Sequence, residues 1–293
     1  MVHSEKVEVL IEALPYVNRF YKQIIVIKYG GNAMTSEELK EAVLYDILLM
    51  KSVGMLPIIV HGGGPFISDM LGKLEIESEF VDGIRVTTEE AMEVVEMVLA
   101  GSVNNDIVKK FNHIGGRAIG ISGMDDQFLK VKKAQSDSAD YGYVGEIEDI
   151  EVDLIRQLIE SDYVPVISSV GMGEDGKSYN INADTVASAI AGKIEADKFM
   201  LLTDIEGVLL DRNDPDSLVS HLSKKEAEDL IAQGIISGGM IPKIECCLDA
   251  IKQGVRAAHI IDGRMKHSLL LELFFDMGIG TMITNEKEKA HAD

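Results

Sequence analysis

IIVIKYGG (residues 24–31) and PIIVHGGGP (residues 57–65) share one layout, a continuous apolar run that stops at a cluster of glycines. A strand that is apolar on both faces belongs in the middle of a sheet covered on both sides. After the first run, LKEAVLYDILLMKSVG (39–54) repeats its apolar residues at helical spacing, and another helical stretch follows the triple glycine. Buried strands alternating with helices predict an α/β fold: a three-layer αβα sandwich with a largely parallel central sheet. Downstream, RAIGIS (117–122), DYVPVISSV (162–170), KFMLLTD (198–204), AAHIIDG (257–263) and GTMIT (280–284) read as further strands. TTEEAMEVVEMVLAG (87–101), ADTVASAIAGKI (183–194), residues 223–234 and residues 241–254 read as helices, and 130–150 reads as an antiparallel excursion. Upstream, VEVLIEALPYVNRFY (7–21) sets Val7, Leu10, Ile11, Leu14, Val17 and Tyr21 at helical spacing around Pro15, which predicts a kinked amphipathic N-terminal helix.

A chain of 293 residues, 46% hydrophobic, can bury the core of one large domain or of two intimate lobes. Its net charge of −21 repels nucleic acid and anionic lipid at long range. No apolar run reaches membrane-spanning length, and the start MVHSEKVEVL lacks the basic-then-apolar layout of a secretory signal. The expectation is a cytoplasmic protein with neither nucleic-acid nor membrane partners. Cys246 and Cys247 are neighbours on one helix, so they can neither staple distant segments nor form a zinc site of usual spacing.

In so acidic a chain, cations placed beside glycine turns carry the most information. Lys28 ends its strand next to Gly30 and Gly31, and Gly63 and Gly64 follow the second strand. Glycine lets backbone N–H groups close on phosphate oxygens, and ligands of open α/β sheets gather at such strand ends. One turn alone reads equally as a tight turn; two, one carrying a lysine, favour a site. GGMIPK (238–243) adds a glycine pair and Lys243 near a helix start, where an anion is already favoured. YNINAD (179–184) spaces Asn180, Asn182 and Asp184 at alternate positions; Asp184 is suited to orient two lysines, and one asparagine can cap the helix. Arg85, after the turn Asp82-Gly83, can grip a carboxylate with two parallel hydrogen bonds, although a solvated arginine is the commoner fate. A competing signal is the literal P-loop match GMGEDGKS (171–178) after an apolar strand. Against it, YNINAD intervenes before the helix, and Glu174 and Asp175 would put negative charge in the phosphate cradle.

Taken together, KYGGNAM, IVHGGGP, GIRVT, YNINAD, LLTD and GGMIPK, in this order over nearly the whole chain, resemble the amino acid kinase superfamily and within it the acetylglutamate-phosphorylating family. The resemblance implies ATP with Mg²⁺ as phosphoryl donor, N-acetyl-L-glutamate as acceptor, and no dedicated protein metal site. It implies that Lys28 and Lys243 stabilise the migrating phosphoryl group and that Asp184 organises them. Gly30, Gly31, Gly63 and Gly64 would donate backbone amides, Asp204 would lie near the nucleotide, and Arg85 and Asn180 would hold the acceptor. It makes GMGEDGKSYN (171–180) a hairpin with a non-catalytic Lys177. The implied organisation is an oligomerisation helix (1–22), an acceptor-binding and dimerising N-lobe (23–182) and an ATP-binding C-lobe (183–293). The N-terminal helix and the ending HIIDGRMKHSLLLELFFDMGIGT resemble the arginine-inhibited branch, with Tyr21, His259, His267, Glu272 and Gly278 as candidates for an arginine pocket. That branch implies a homo-oligomer, either a dimer or a hexamer built as a trimer of dimers, and admits a PII-type regulator. Two alternatives stay open: another kinase of the superfamily, or a non-catalytic arginine sensor.

Overall fold

The structure, a computed structural model, describes residues 8, 11, 14–136, 139–275 and 278–286. Its strands are β1 (Ile24–Tyr29), β2 (Leu56–His61), β3 (Phe80–Val81), β4 (Ile84–Arg85), β5 (Ala118–Ser122), β6 (Leu129–Lys133) and β7 (Gly145–Ile150). They continue as β8 (Val164–Ser168), β9 (Val170–Gly173), β10 (Ser178–Asn180), β11 (Lys198–Thr203), β12 (His221–Ser223), β13 (Ala257–Asp262) and β14 (Thr281–Thr284). The helices are α1 (Glu37–Ser52), α2 (Gly64–Lys73), α3 (Glu89–Glu96), α4 (Asn104–His113), α5 (Asp153–Glu160), α6 (Ala183–Lys193), α7 (Lys224–Ala232), α8 (Ile241–Lys252) and α9 (Ser268–Phe274).

Eight strands form the central sheet in the order β12-β14-β13-β11-β1-β2-β8-β5, and only the β13–β14 neighbours run antiparallel. From β1 the chain steps to β2, reaches the edge as β5, comes back between them as β8, and then crosses to the other side of β1 as β11. This reversal leaves a crevice at the carboxyl ends of β1 and β11, the place where open α/β sheets bind ligands. A smaller sheet, β10-β9-β6-β7, contains the antiparallel excursion, and β3 pairs with β4 across the Asp82-Gly83 turn.

Strand parity divides the interior into two cores. Val26, Ile58, Val60, Phe199 and Leu201 face one side, packed with residues of α5, α6 and α8. Ile25, Ile27, Ile59, Met200 and Leu202 face the other, against α1 to α4 and α9. Both faces are covered, as the continuous apolar runs require. Local signals set the helix starts: Ser36 caps α1 through Leu39 N–H, Thr88 caps α3 through Ala91 N–H, and Ser223 with Glu226 forms a capping box on α7.

Two features depart from the sequence reading. The helix expected through 87–101 gives way to a π-helical segment, Met97–Val103, before α4. The short β12, absent from the reading, pairs in parallel with β14 through His221–Ser223. Residues 14–20 are helical, whereas Val7 and Leu10, and residues 12 and 13 beside the kink expected at Pro15, lie outside the described residues. Tyr16 and Phe20 pack their rings on Phe274, 5.9 and 6.2 Å between centroids, while Ile11 and Leu14 are exposed.

Phe199 is fully buried at the centre of the sheet. Phe199→Ala is expected to lower unfolding stability by about 3–5 kcal/mol, because the cavity left behind cannot collapse between two covered layers. Urea unfolding checks this, and a loss under about 1 kcal/mol would show that the face is loosely packed.

Candidate active site

Parity puts Lys28 on the same face of β1 as Val26, toward the start of α6. There its Nζ donates to Asp184 Oδ1 at 2.9 Å, and Lys243 Nζ donates to Oδ2 of the same carboxylate at 3.4 Å. Each oxygen holds one ammonium, and the three side chains are only 11%, 14% and 24% exposed for Lys28, Asp184 and Lys243. Burial alone would raise the pKa of Asp184, but the charges of Lys28 and Lys243 outweigh it and hold the group below its ordinary value of 3.8. The net charge of the trio is positive, in a protein that is otherwise strongly acidic. Asn182, the preceding polar residue of the alternating motif, caps α6 by accepting from Asp184 N–H at 2.8 Å, so the segment aims one carboxylate and satisfies one helix end.

The glycine turns close on this trio. A Cβ on Gly30 would lie 2.5 Å from Lys28 Nζ, and one on Gly31, at φ 65°, would lie 2.6 Å from Asp204 Oδ1. The positive φ of Gly31 calls for glycine where the chain passes between Lys28 and Asp204. Gly63 precedes α2 without a side-chain cap, and α8 likewise starts without one after Gly238-Gly239. Both starts retain backbone N–H groups able to receive an anion.

Two neighbourhoods flank the trio. On one side Arg85 is 6% exposed: it donates to Ser68 Oγ (2.7 Å), to Gly64 O (3.3 Å) and to Ser78 Oγ, with Phe80 stacked 4.5 Å away. Thr87 Oγ1 donates to Arg85 O at 3.1 Å and receives Asn180 Nδ2 at 3.4 Å, which joins the two residues expected at the acceptor. On the other side a cavity of about 630 Å³ is lined by Asp204, Glu206, Gly239, Lys243, Arg212 and Arg264, among others. Its size suits a nucleotide. The two arginines were not singled out in the sequence; the available signal for Arg264 was its place just beyond a strand end, where Asp262 grips it at 2.9 Å.

Of the five residues expected to form an arginine pocket, the structure joins three. His259 Nδ1 contacts Glu272 Oε1 at 2.7 Å, Glu272 Oε2 accepts from Ile279 and Gly280 N–H, and a Cβ on Gly278 would strike that carboxylate at 2.7 Å. This group lies on the opposite face of the sheet from Lys28. Tyr21 instead packs on Gly54, and His267 pairs with the buried Asp46 at 2.6 Å. Residues 171–176 with Lys177 form the β9–β10 hairpin, Gly173 N–H donating to Lys177 O at 2.9 Å, and Lys177 Nζ donates to Tyr143 Oη at 3.0 Å. A P-loop lysine opens a helix; this one closes a hairpin.

Comparison with known proteins gives a consistent picture. The model of the amino acid kinase family matches residues 23–262. An acetylglutamate kinase of Thermoanaerobacter pseudethanolicus is 54% identical over 281 residues, covering 96% of this chain and 94% of that protein. One of Syntrophomonas wolfei is 54% identical over 282 residues, covering 96% and 98%. In fold, the chain is similar to an N-acetylglutamate synthase of Neisseria gonorrhoeae with coenzyme A and N-acetyl-glutamate, at TM-score 0.84 and 24% identity; it spans 96% of this chain but 63% of that one. A carbamate kinase of Giardia lamblia bound to AMP-PNP superposes at TM-score 0.68 and 17% identity, covering 90% of this chain and 99% of that one.

Replacing the shared anion isolates its electrostatic part. A carboxyl whose folded pKa is depressed stabilises the fold above its unfolded pKa and loses that contribution as pH falls through the folded value. Urea unfolding of wild type and Asp184→Asn is therefore expected to show a stability gap at neutral pH that closes below the ordinary 3.8. A gap independent of pH would mean that the carboxylate is not held by the two ammonium groups.

Proposed function

Because the chain belongs to the amino acid kinase family, we propose that it transfers the γ-phosphoryl group of ATP to the side-chain carboxylate of N-acetyl-L-glutamate, giving N-acetyl-L-glutamyl 5-phosphate in arginine biosynthesis. The observation that carries this reading is the meeting of Lys28 and Lys243, remote in sequence, on the two oxygens of Asp184. Phosphoryl transfer asks mainly for positioning and for charge placed where it develops. Lys28 and Lys243 offset charge on the migrating group and its leaving oxygen, Asp184 keeps the two ammonium groups apart and aimed, and the amides of Gly30, Gly31, Gly63 and Gly64 hold phosphate oxygens. The acceptor carboxylate is already ionised near neutral pH, so no general base is assigned.

Arg85, preset by Ser68 and the Gly64 carbonyl, presents its guanidinium to a carboxylate of the acceptor, and Asn180 contacts its polar groups. Nucleotide enters the cavity beside Asp204 and Lys243. Asp204 and Glu206 in the same wall are the oxygen donors suited to hold Mg²⁺, which supplies charge neutralisation along a bound triphosphate. This assigns acceptor binding to residues 23–182 and nucleotide binding to 183–293.

Arginine control belongs to the same proposal. Glu272 is a buried carboxylate with His259 and two amides fixing it, and Lys198 Nζ lies 3.1 Å from His259 Nε2. A guanidinium drawn to Glu272 would act from the opposite face, through β13 and its neighbour β11, whose last residue Thr203 borders the nucleotide cavity. The exposed Ile11 and Leu14 support association through the N-terminal helix into a homo-oligomer. Among the described residues no helix is long and apolar enough to cross a membrane.

A coupled assay of ADP release tests the core of this. Turnover is expected with N-acetyl-L-glutamate and not with aspartate, glutamate, carbamate or UMP, and it should fall on adding arginine. Lys28→Ala and Lys243→Ala should each lower kcat by about 100-fold or more, with Lys177→Ala within about twofold of wild type. ADP release that ignores the acceptor would sink the assignment; loss on changing Lys177 alone would move the reaction to the hairpin.

A further inference from the structure

Gly62 occupies the junction of the three parts of the proposed centre. Its N–H donates to Tyr29 O at 3.4 Å, which ties the second glycine turn to the first. A Cβ on it would lie 3.2 Å from that of Ala183, the residue before Asp184. Its own carbonyl is held by a side chain: His61 Nδ1 lies 3.0 Å away.

His61 is fully buried, and its other nitrogen, Nε2, is 3.1 Å from Asn104 Nδ2 at the start of α4, directly after the π-helical segment. The same Nδ2 reaches Val166 O at 2.9 Å and Ile121 O at 3.4 Å. Carbonyls only accept, so this end of Asn104 is its NH₂ and must donate. Nε2 therefore accepts, the ring proton sits on Nδ1, and Nδ1–H donates to the Gly62 carbonyl. Burial keeps the ring neutral, pushing its pKa down to about 4.

We propose that His61 is a positioning residue for phosphoryl transfer: its Nδ1–H, fixed by Asn104, orients the Gly62 peptide so that the amides of Gly63 and Gly64 keep register with Lys28 and Asp184. The proposal rests on the reading of the glycine turns given under Proposed function. His61 touches no reacting atom. A histidine that merely filled the core would be indifferent to which of its nitrogens was preserved.

Two substitutions separate the nitrogens. Asparagine places an amide nitrogen where Nδ1 was; glutamine reaches the position of Nε2 instead. In His61→Asn the Gly62 bond survives and Asn104 still has two carbonyl acceptors, whereas His61→Gln satisfies Asn104 and abandons Gly62. Steady-state kinetics at saturating ATP with varied acceptor should show His61→Gln lowering kcat by about 30-fold with acceptor KM within about threefold, and His61→Asn keeping at least about a third of kcat. Equal kcat loss in the two variants, loss in KM alone, or full kcat in both overturns the proposal. Nitrogen-15 NMR of wild-type histidine rings gives a readout independent of variant folding: His61 should carry its proton on Nδ1, and a proton on Nε2 overturns the proposal as well. Wild-type turnover in the same assay separates the two levels, since its absence removes the kinase reading itself, while equal loss in the variants removes only the role of His61.

Discussion

One carboxylate shared by two ammonium groups is the constraint around which this molecule is arranged. At an effective dielectric near 20, a unit pair about 4 Å apart is worth about 4 kcal/mol, and two like charges cost a similar amount when brought together without a counter-ion. Asp184 makes the approach of Lys28 and Lys243 possible, and a net positive centre survives inside a chain of charge −21. Desolvation opposes the arrangement, so it persists only because both oxygens are engaged and α6 holds the carboxylate in place. The requirement dictates where β1 must end, where α6 must start, and why α8 must return to the same crevice.

The sheet turns that local requirement into an architecture. Alternation along β1 sends Val26 and Lys28 to one face and Ile25 and Ile27 to the other, so the strand that delivers the lysine also builds both cores. Along β11 and β13 the same alternation places Lys198 and His259 on the far face, beside Glu272 on α9. The two charged clusters lie on opposite faces and on neighbouring strands, Lys28 on β1 and Lys198 on the adjacent β11.

Around the crevice, much of the precision comes from residues with no chemistry of their own. Gly30 and Gly31 leave room that a single methyl would fill, and the carbonyl of Gly64 helps orient Arg85. Ser68 and Phe80 hold that arginine in one plane, so a carboxylate binding there as proposed would meet a guanidinium already in place. A preorganised site of this kind depends on backbone position to fractions of an ångström, and hence on buried contacts such as that between His61 and Asn104.

What the sequence determined by itself was everything governed by local period and local chain stiffness. Apolar runs ending in glycine announced β1 and β2, the Asp82-Gly83 pair announced a turn, and the intervening YNINAD argued that Lys177 does not open a helix. Six ordered motifs were enough to name the family and to nominate Lys28, Asp184 and Lys243. Tertiary structure decided what depends on distance through space. It brought those three residues together, joined Arg85 to Asn180 through Thr87, and separated Tyr21 and His267 from His259 and Glu272. It exposed the π-helical segment and the buried His61 network, which leave no trace in periodicity because they arise from packing between α4, β5 and β8. Neighbours along a chain are set by covalent geometry, whereas partners across a fold are set by how the whole apolar surface is buried at once.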